Sequence, residues 1–151
     1  MLKNKIYKIY LDTSVIGGVF DVEFNRESNH IFDLAKNNQI KLITSQLVLD
    51  ELKNAPKLVR DFLNINLYLF DKVDIGEQAI EMMNRYLSAK IVTVKSRNDA
   101  LHVAIATVSR VDAIVSWNFK HIVKLEKMKK YVSCNLESGY GFLQIITPKE
   151  V

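Results

Sequence analysis

Four side chains, far apart along the chain, carry oxygen atoms suited to a hard metal ion: Asp12, Glu51, Asp99 and Asn118. Asp12 directly follows the apolar run from Ile6 to Leu11 and is followed by Thr13 and Ser14, so a strand would deliver it to the active edge of a sheet. Three carboxylates gathered at one edge would repel each other, driving at least one toward its protonated form. A divalent cation removes that conflict by taking carboxylate oxygens and keeping several waters. Such an ion lowers the pKa of a bound water and neutralises charge building on a phosphoryl group, the requirements of phosphodiester hydrolysis.

Each residue also has a plainer reading. Asp12 or Thr13 can cap the helix that follows. Glu51 has Leu47, Val48 and Ala55 one turn away and so faces inward, where an acid needs a cation, reaches water along the helix rim, or pairs with a lysine; Asp50 falls on the wet side. Ser96-x-x-Asp99 matches a capping box, with His102 one turn further along the same face as a packed histidine rather than a ligand. Asn118 can cap the next element or offer its carbonyl oxygen to a metal or water. Asp112 begins a strand and therefore belongs to the opposite edge of the sheet.

The elements that must position these groups alternate between strand and helix. The expected strands are Ile6 to Leu11, Lys41 to Thr44, Asn66 to Phe70, Asp112 to Ser116 and Phe142 to Ile146. Between them the spacing predicts helices over Thr13 to Phe20, Ser28 to Asn37, Ser45 to Asn54, Pro56 to Leu63, Ile75 to Ala89, Ser96 to Ser109 and, in one or two pieces, Trp117 to Lys130. In the fifth of these, Ile80, Met83 and Leu87 form the apolar side; the sixth is apolar nearly all round, which marks it as buried. Ile91 to Lys95 is expected to be a connection or minor strand. Gly17 and Gly18 allow close backbone packing. The order implies an α/β fold, a roughly five-stranded parallel sheet with helices on both faces.

At 151 residues, 48% of them hydrophobic and 25% charged, the chain is expected to be one domain, 1–151, with a real core. The single cysteine, Cys134, forms no internal disulfide, and no Cys/His cluster has zinc spacing, which favours a reducing cytoplasm. Lysines precede the first apolar stretch as in a secretory signal, but Asp12 interrupts it, and no apolar run approaches the ~20 residues that span a bilayer. The net charge of +4 is concentrated in Lys120, Lys124, Lys127, Lys129 and Lys130. That run suits either a polyanionic partner or an ordinary solvated helix face.

Four pieces in order, Ile9 to Ser14, Val48 to Leu52, Asn98 to Ala104 and Ser116 to Phe119, resemble the PIN-domain nucleases, in particular the small single-domain VapC-type toxins. The resemblance covers nearly the whole chain. It implies a magnesium- or manganese-dependent ribonuclease with Asp12, Glu51 and Asp99 around the metal, and Ser14 supporting the first acid or the attacking water. It also implies RNA as substrate, tracked by Lys120 and Lys124, a cognate antitoxin and a homodimer. Where many members carry Asp, this chain has Asn118, whose amide adds no negative charge, so a second metal would be held weakly. The rival expectation is a catalytically weakened PIN-fold domain that binds RNA or a partner. A phosphohydrolase with Asp12 as nucleophile is a third, opposed by the lack of a second acid two residues later.

Overall fold

The computed structural model describes residues 5–151. Five strands, β1 (Tyr7–Leu11), β2 (Ile40–Ser45), β3 (Phe70–Val73), β4 (Ala113–Val115) and β5 (Gln144–Ile146), form one parallel sheet in the order β3-β2-β1-β4-β5. The expected α/β architecture is present. Central β1 pairs with both β2 and β4, and its second half, Ile9 to Leu11, is buried; Ile6 and Tyr7, read as part of a covered strand, are exposed. After β3 the chain passes to the other side of β1, so strand order reverses between β1 and β4, the place where open α/β sheets form a crevice.

Helices α1 (Thr13–Gly17), α2 (Asn25–Lys36), α3 (Gln46–Leu52) and α4 (Lys57–Asn66) form one packed group, and α5 (Glu77–Ser88), α6 (Arg97–Val108) and α7 (Leu125–Glu137) a second. α6 is enclosed, with every residue from Ala100 to Thr107 buried. Its Thr107 joins Tyr86 and Asn135 in a closed set of hydrogen bonds that ties α5, α6 and α7 together.

Several elements depart from the expected boundaries. NLYLF is not a strand: α4 continues to Asn66, Leu67–Leu69 add a 3₁₀ turn, and pairing starts only at Phe70, so Asp71 and Lys72 lie in β3. The apolar run is used to close the helix, and strand pairing with β2 decides the rest. On α5 the buried side chains are Ala79, Met82 and Tyr86, while Ile80 is exposed, because the aromatic ring and not the branched aliphatic fills the gap to α7. Ile91 to Lys95 is a connection, and no helix forms before Leu125 in the segment expected to be helical from Trp117. Three helices end without glycine: Asn38, Lys90 and Arg110 take left-handed φ of 57°, 58° and 55°, and Gln39, Ile91 and Val111 bond back across the last turn.

The two glycines of the first loop differ. A Cβ on Gly18 would stand 2.9 Å from Ser28 Oγ and 3.3 Å from Trp117 Nε1, whereas one on Gly17 meets nothing within 4 Å. Trp117 Nε1 donates to Ser28 Oγ and the indole stacks on Phe24, so Gly18 is the floor of that contact. Gly18→Ala is expected to destabilise by about 1–3 kcal/mol through overpacking. Gly17→Ala, in a helical conformation with free space, should be stabilising by about 0.5–1 kcal/mol. Urea melts of the two variants check the pair.

Asp112 lies at the start of β4, on the edge away from Asp12 as expected, where it accepts from Lys5 Nζ at 2.7 Å and from the backbone N–H of Lys8 at 2.8 Å. Burial tends to raise its pKa, but these bonds and the two lysine charges outweigh that and hold it below its usual 3.8. A lowered acid contributes stability above its unfolded value, lost as pH falls through the folded one. Asp112→Ala is therefore expected to cost about 1 kcal/mol at pH 7, screening by solvent included, with the difference from wild type shrinking below pH 3.8. Thermal melts from pH 7 to pH 3 test this.

Candidate active site

The end of β1 and the end of β4 meet around Asp12. Register pairs Leu11 with Val115, so the next residues, Asp12 and Ser116, stand side by side at the crevice. Asp12 occupies the N-cap position of α1 but makes no side-chain cap. Instead Oδ1 accepts from Ser14 Oγ at 2.5 Å and Oδ2 from Ser116 Oγ at 2.6 Å. The two serines in turn accept the backbone N–H groups of Trp117 and Asn118, each at 2.9 Å. The carboxylate is thus clasped by hydroxyls that also fix the turn after β4. It is 3% exposed, and burial raises its pKa, offset in part by His102 and the two serines.

Glu51 sits on α3 at the edge of the protein, its side chain 30% exposed, while Asp50 points to solvent and bonds Gln46 and Lys53. Glu51 Oε1 accepts from Thr13 Oγ1 at 2.7 Å and lies 2.5 Å from His102 Nε2. The inward acid has therefore met a histidine, not a lysine. Behind it, His102 Nδ1 is 2.8 Å from Tyr10 Oη, which is 2.8 Å from Ser45 Oγ. A carboxylate only accepts, so His102 donates through Nε2; with a neutral ring Nδ1 must accept, which makes Tyr10 its donor and Ser45 the donor to Tyr10. Burial pushes the Tyr10 phenol far up, keeping that proton in place. Burial also acts to raise Glu51, yet His102 and Thr13 win and its pKa falls.

Asp99 is in the first turn of α6, half-buried, one turn before His102. The capping box does not form: Ser96 makes no side-chain cap, and its own N–H bonds Thr93. The charge of Asp99 is felt at His121, Lys127 and Tyr131, on the side of the β4–α7 connection. Asn118 Oδ1 accepts the backbone N–H groups of Lys120 and His121, at 3.2 and 2.9 Å, so this amide holds a turn.

Asp12, Ser14 and Asn118 are therefore linked through Ser116, and Glu51 joins α1 and α6 through Thr13 and His102. Asp99 has no direct bond to either set. Among the described residues no three acid, histidine or cysteine side chains stand close enough to hold a metal ion. Only Asp12 has a setting that suits a cation: it is buried, its bonded partners are neutral hydroxyls, and among the described residues it lies in no ion pair. Sequence reading had missed Ser116, Thr13, Tyr10 and Ser45. Ser116 was within reach, because aligning the ends of two adjacent parallel strands sets it beside Asp12.

No protein-family model matches the chain, and no curated protein matches it. Among solved structures it is similar to a chain in the crystal structure of VapBC2 from Rickettsia felis bound to a DNA fragment from their promoter, at 17% identity, 93% coverage of this chain, 98% of that chain and a TM-score of 0.60. No helix among the described residues is long and apolar enough to cross a membrane. At that identity the likeness is one of fold: the chain has the PIN-like α/β architecture.

Proposed function

We propose that the chain is a metal-dependent endoribonuclease, acting in the cytoplasm as the toxin of a toxin–antitoxin pair. The observation that carries this reading is the buried Asp12 carboxylate at the reversal of strand order, clasped by two neutral hydroxyls, with Glu51 and Asp99 on the flanking helices. Asp12, Glu51 and Asp99 would hold magnesium or manganese, whose chemistry is to acidify a bound water and screen charge on the phosphoryl group. Ser14 and Ser116 orient Asp12, His102 orients Glu51, and Lys120 and Lys124 meet the phosphate backbone. The fold shared with a structure of VapBC2 supports a cognate antitoxin as partner, and self-association belongs to the same proposal.

The test is a cleavage assay on diverse RNAs with magnesium, manganese or chelator, beside Asp12→Asn. Cleavage by wild type that needs the metal and is lost in the variant is the expected result; equal cleavage by both would overturn the assignment. Two observations favour the rival, a PIN-fold domain that binds RNA or a partner without cutting: Asn118 is committed to its turn, and among the described residues the acids are not gathered. Tight RNA binding with no cleavage under any metal would select it.

A further inference from the structure

The connection from β4 to α7 runs through Lys120, His121 and Lys124 in an irregular course, and Lys127 follows in the first turn of the helix. Lys127 Nζ lies 3.3 Å from His121 Nδ1, and the other ring nitrogen, Nε2, is 3.3 Å from Ser96 Oγ at the start of α6. An ammonium has only hydrogens to give, so Nδ1 accepts and the ring hydrogen sits on Nε2, facing the serine. Lys127 thus spends a charged donor on a neutral ring. Its neighbour Lys130 is paired with Glu126, and Lys57 with Asp61, yet among the described residues none of Lys120, Lys124 and Lys127 lies in an ion pair. These lysines crowd one another: burial, then Lys124 and Lys120, lowers the pKa of Lys127 against the opposing pull of Glu126 and Asp99, and burial with Lys127, Lys120 and Lys124 lowers that of His121 against Asp99. A surface whose positive charges outnumber the nearby acids and that has no ion pair at Lys120, Lys124 or Lys127 is stabilised by an incoming anion.

The cluster is anchored to the candidate active site. Asn118 Oδ1 takes the N–H groups of Lys120 and His121, the N–H of Asn118 goes to Ser116 Oγ, and Ser116 Oγ donates to Asp12. The course of the loop is therefore set from the carboxylate that would face the cleaved bond.

We propose that Lys120, His121, Lys124 and Lys127, with the Ser96 hydroxyl, form an anion subsite that holds a backbone phosphate of single-stranded RNA next to the phosphate at Asp12. The proposal rests on the nuclease reading for its ligand; it selects Lys127 from the basic run and adds His121 and Ser96 to Lys120 and Lys124. Lys127 and the Ser96 hydroxyl supply donors, His121 positions both through its two ring nitrogens, and Lys120 and Lys124 add charge. Counterion release makes the effect visible, since each phosphate contact removed lowers the salt dependence of binding by roughly 0.7–1 in the log–log slope.

The experiment measures anisotropy of a labelled single-stranded RNA in chelator, so that nothing is cut, from low to moderate salt. The full chain is compared with Lys127→Gln, His121→Asn, the triple variant K120Q/K124Q/K127Q, Asp12→Asn and, as a remote control, Lys36→Gln. Thermal melts accompany each. Lys127→Gln should weaken binding about 3–10-fold, the triple variant should weaken it further and flatten the salt slope by about 0.7–1, and Lys36→Gln should change neither. A folded triple variant with wild-type affinity and slope would overturn the proposal. If wild type never cleaves but the triple variant loses RNA, the subsite stands and the nuclease reading falls; if cleavage and binding both survive the triple change, the reverse holds.

Discussion

Asp12→Asn is expected to abolish metal-dependent cleavage, by on the order of 10³-fold, while leaving the protein as stable as wild type or more so. The two halves of the expectation come from one geometry. The carboxylate is 3% exposed and bonded to Ser14 and Ser116, so its charge is available to a cation at the crevice but is costly when none is present. Burial raises its pKa, which states that the folded protein disfavours the ionised form. An amide of the same shape keeps an oxygen for one serine and can turn its N–H toward the other, whose oxygen accepts, so the clasp survives without the charge. Cleavage rates with magnesium and urea melts in chelator, run on the same preparations, measure both. A variant that cuts normally, or that loses cleavage only because it melts, would remove the argument.

His102→Ala should produce the largest loss of stability of any single change near the site, about 2–4 kcal/mol. The ring is 2% exposed, and removing it leaves a void among Tyr10, Ser45 and Glu51 as well as a phenol with one partner fewer. Tyr10→Phe separates the two components, because it keeps the volume and deletes only the hydroxyl between Ser45 and His102. Its expected cost is about 1–2 kcal/mol. On the nuclease reading, both should also reduce cleavage, His102→Ala more strongly, through Glu51, which would keep only its bond from Thr13. His102→Gln, which retains a donor to Glu51, should recover part of the activity without recovering the packing. Denaturant melts and the metal dependence of cleavage for the three variants read the two effects apart.

The parallel sheet, the central first strand, the buried sixth helix and the remote position of Asp112 were all legible from residue order, because each depends on periodicity over a whole element. What escaped was decided by contacts between elements. NLYLF reads as a strand alone, yet only pairing with β2 chooses which residues enter the sheet. The C-terminal ends of α5 and α6 lie within one residue of expectation, although Lys90 and Arg110 take the left-handed turn that glycine usually signals. Among candidate site residues, spacing gave the types but not their partners. Glu51 and His102 are 51 positions apart and meet only because α3 and α6 approach the same end of β1. The Ser96-x-x-Asp99 pattern matched a local motif that the structure leaves unused, since the serine turns toward His121.

The enclosure of α6 limits how this region of the molecule can drift. Ala100, Ala104 and Ala106 are each wholly out of solvent on a helix with neighbours on every side, so their methyl groups act as spacers between α6 and what surrounds it. A larger side chain at any of them must displace the helix that carries both Asp99 and His102, altering the acids' separation without touching an acid. Random libraries selected for function should accordingly accept only glycine, alanine or serine there, while the exposed stretch around Val22 tolerates almost anything.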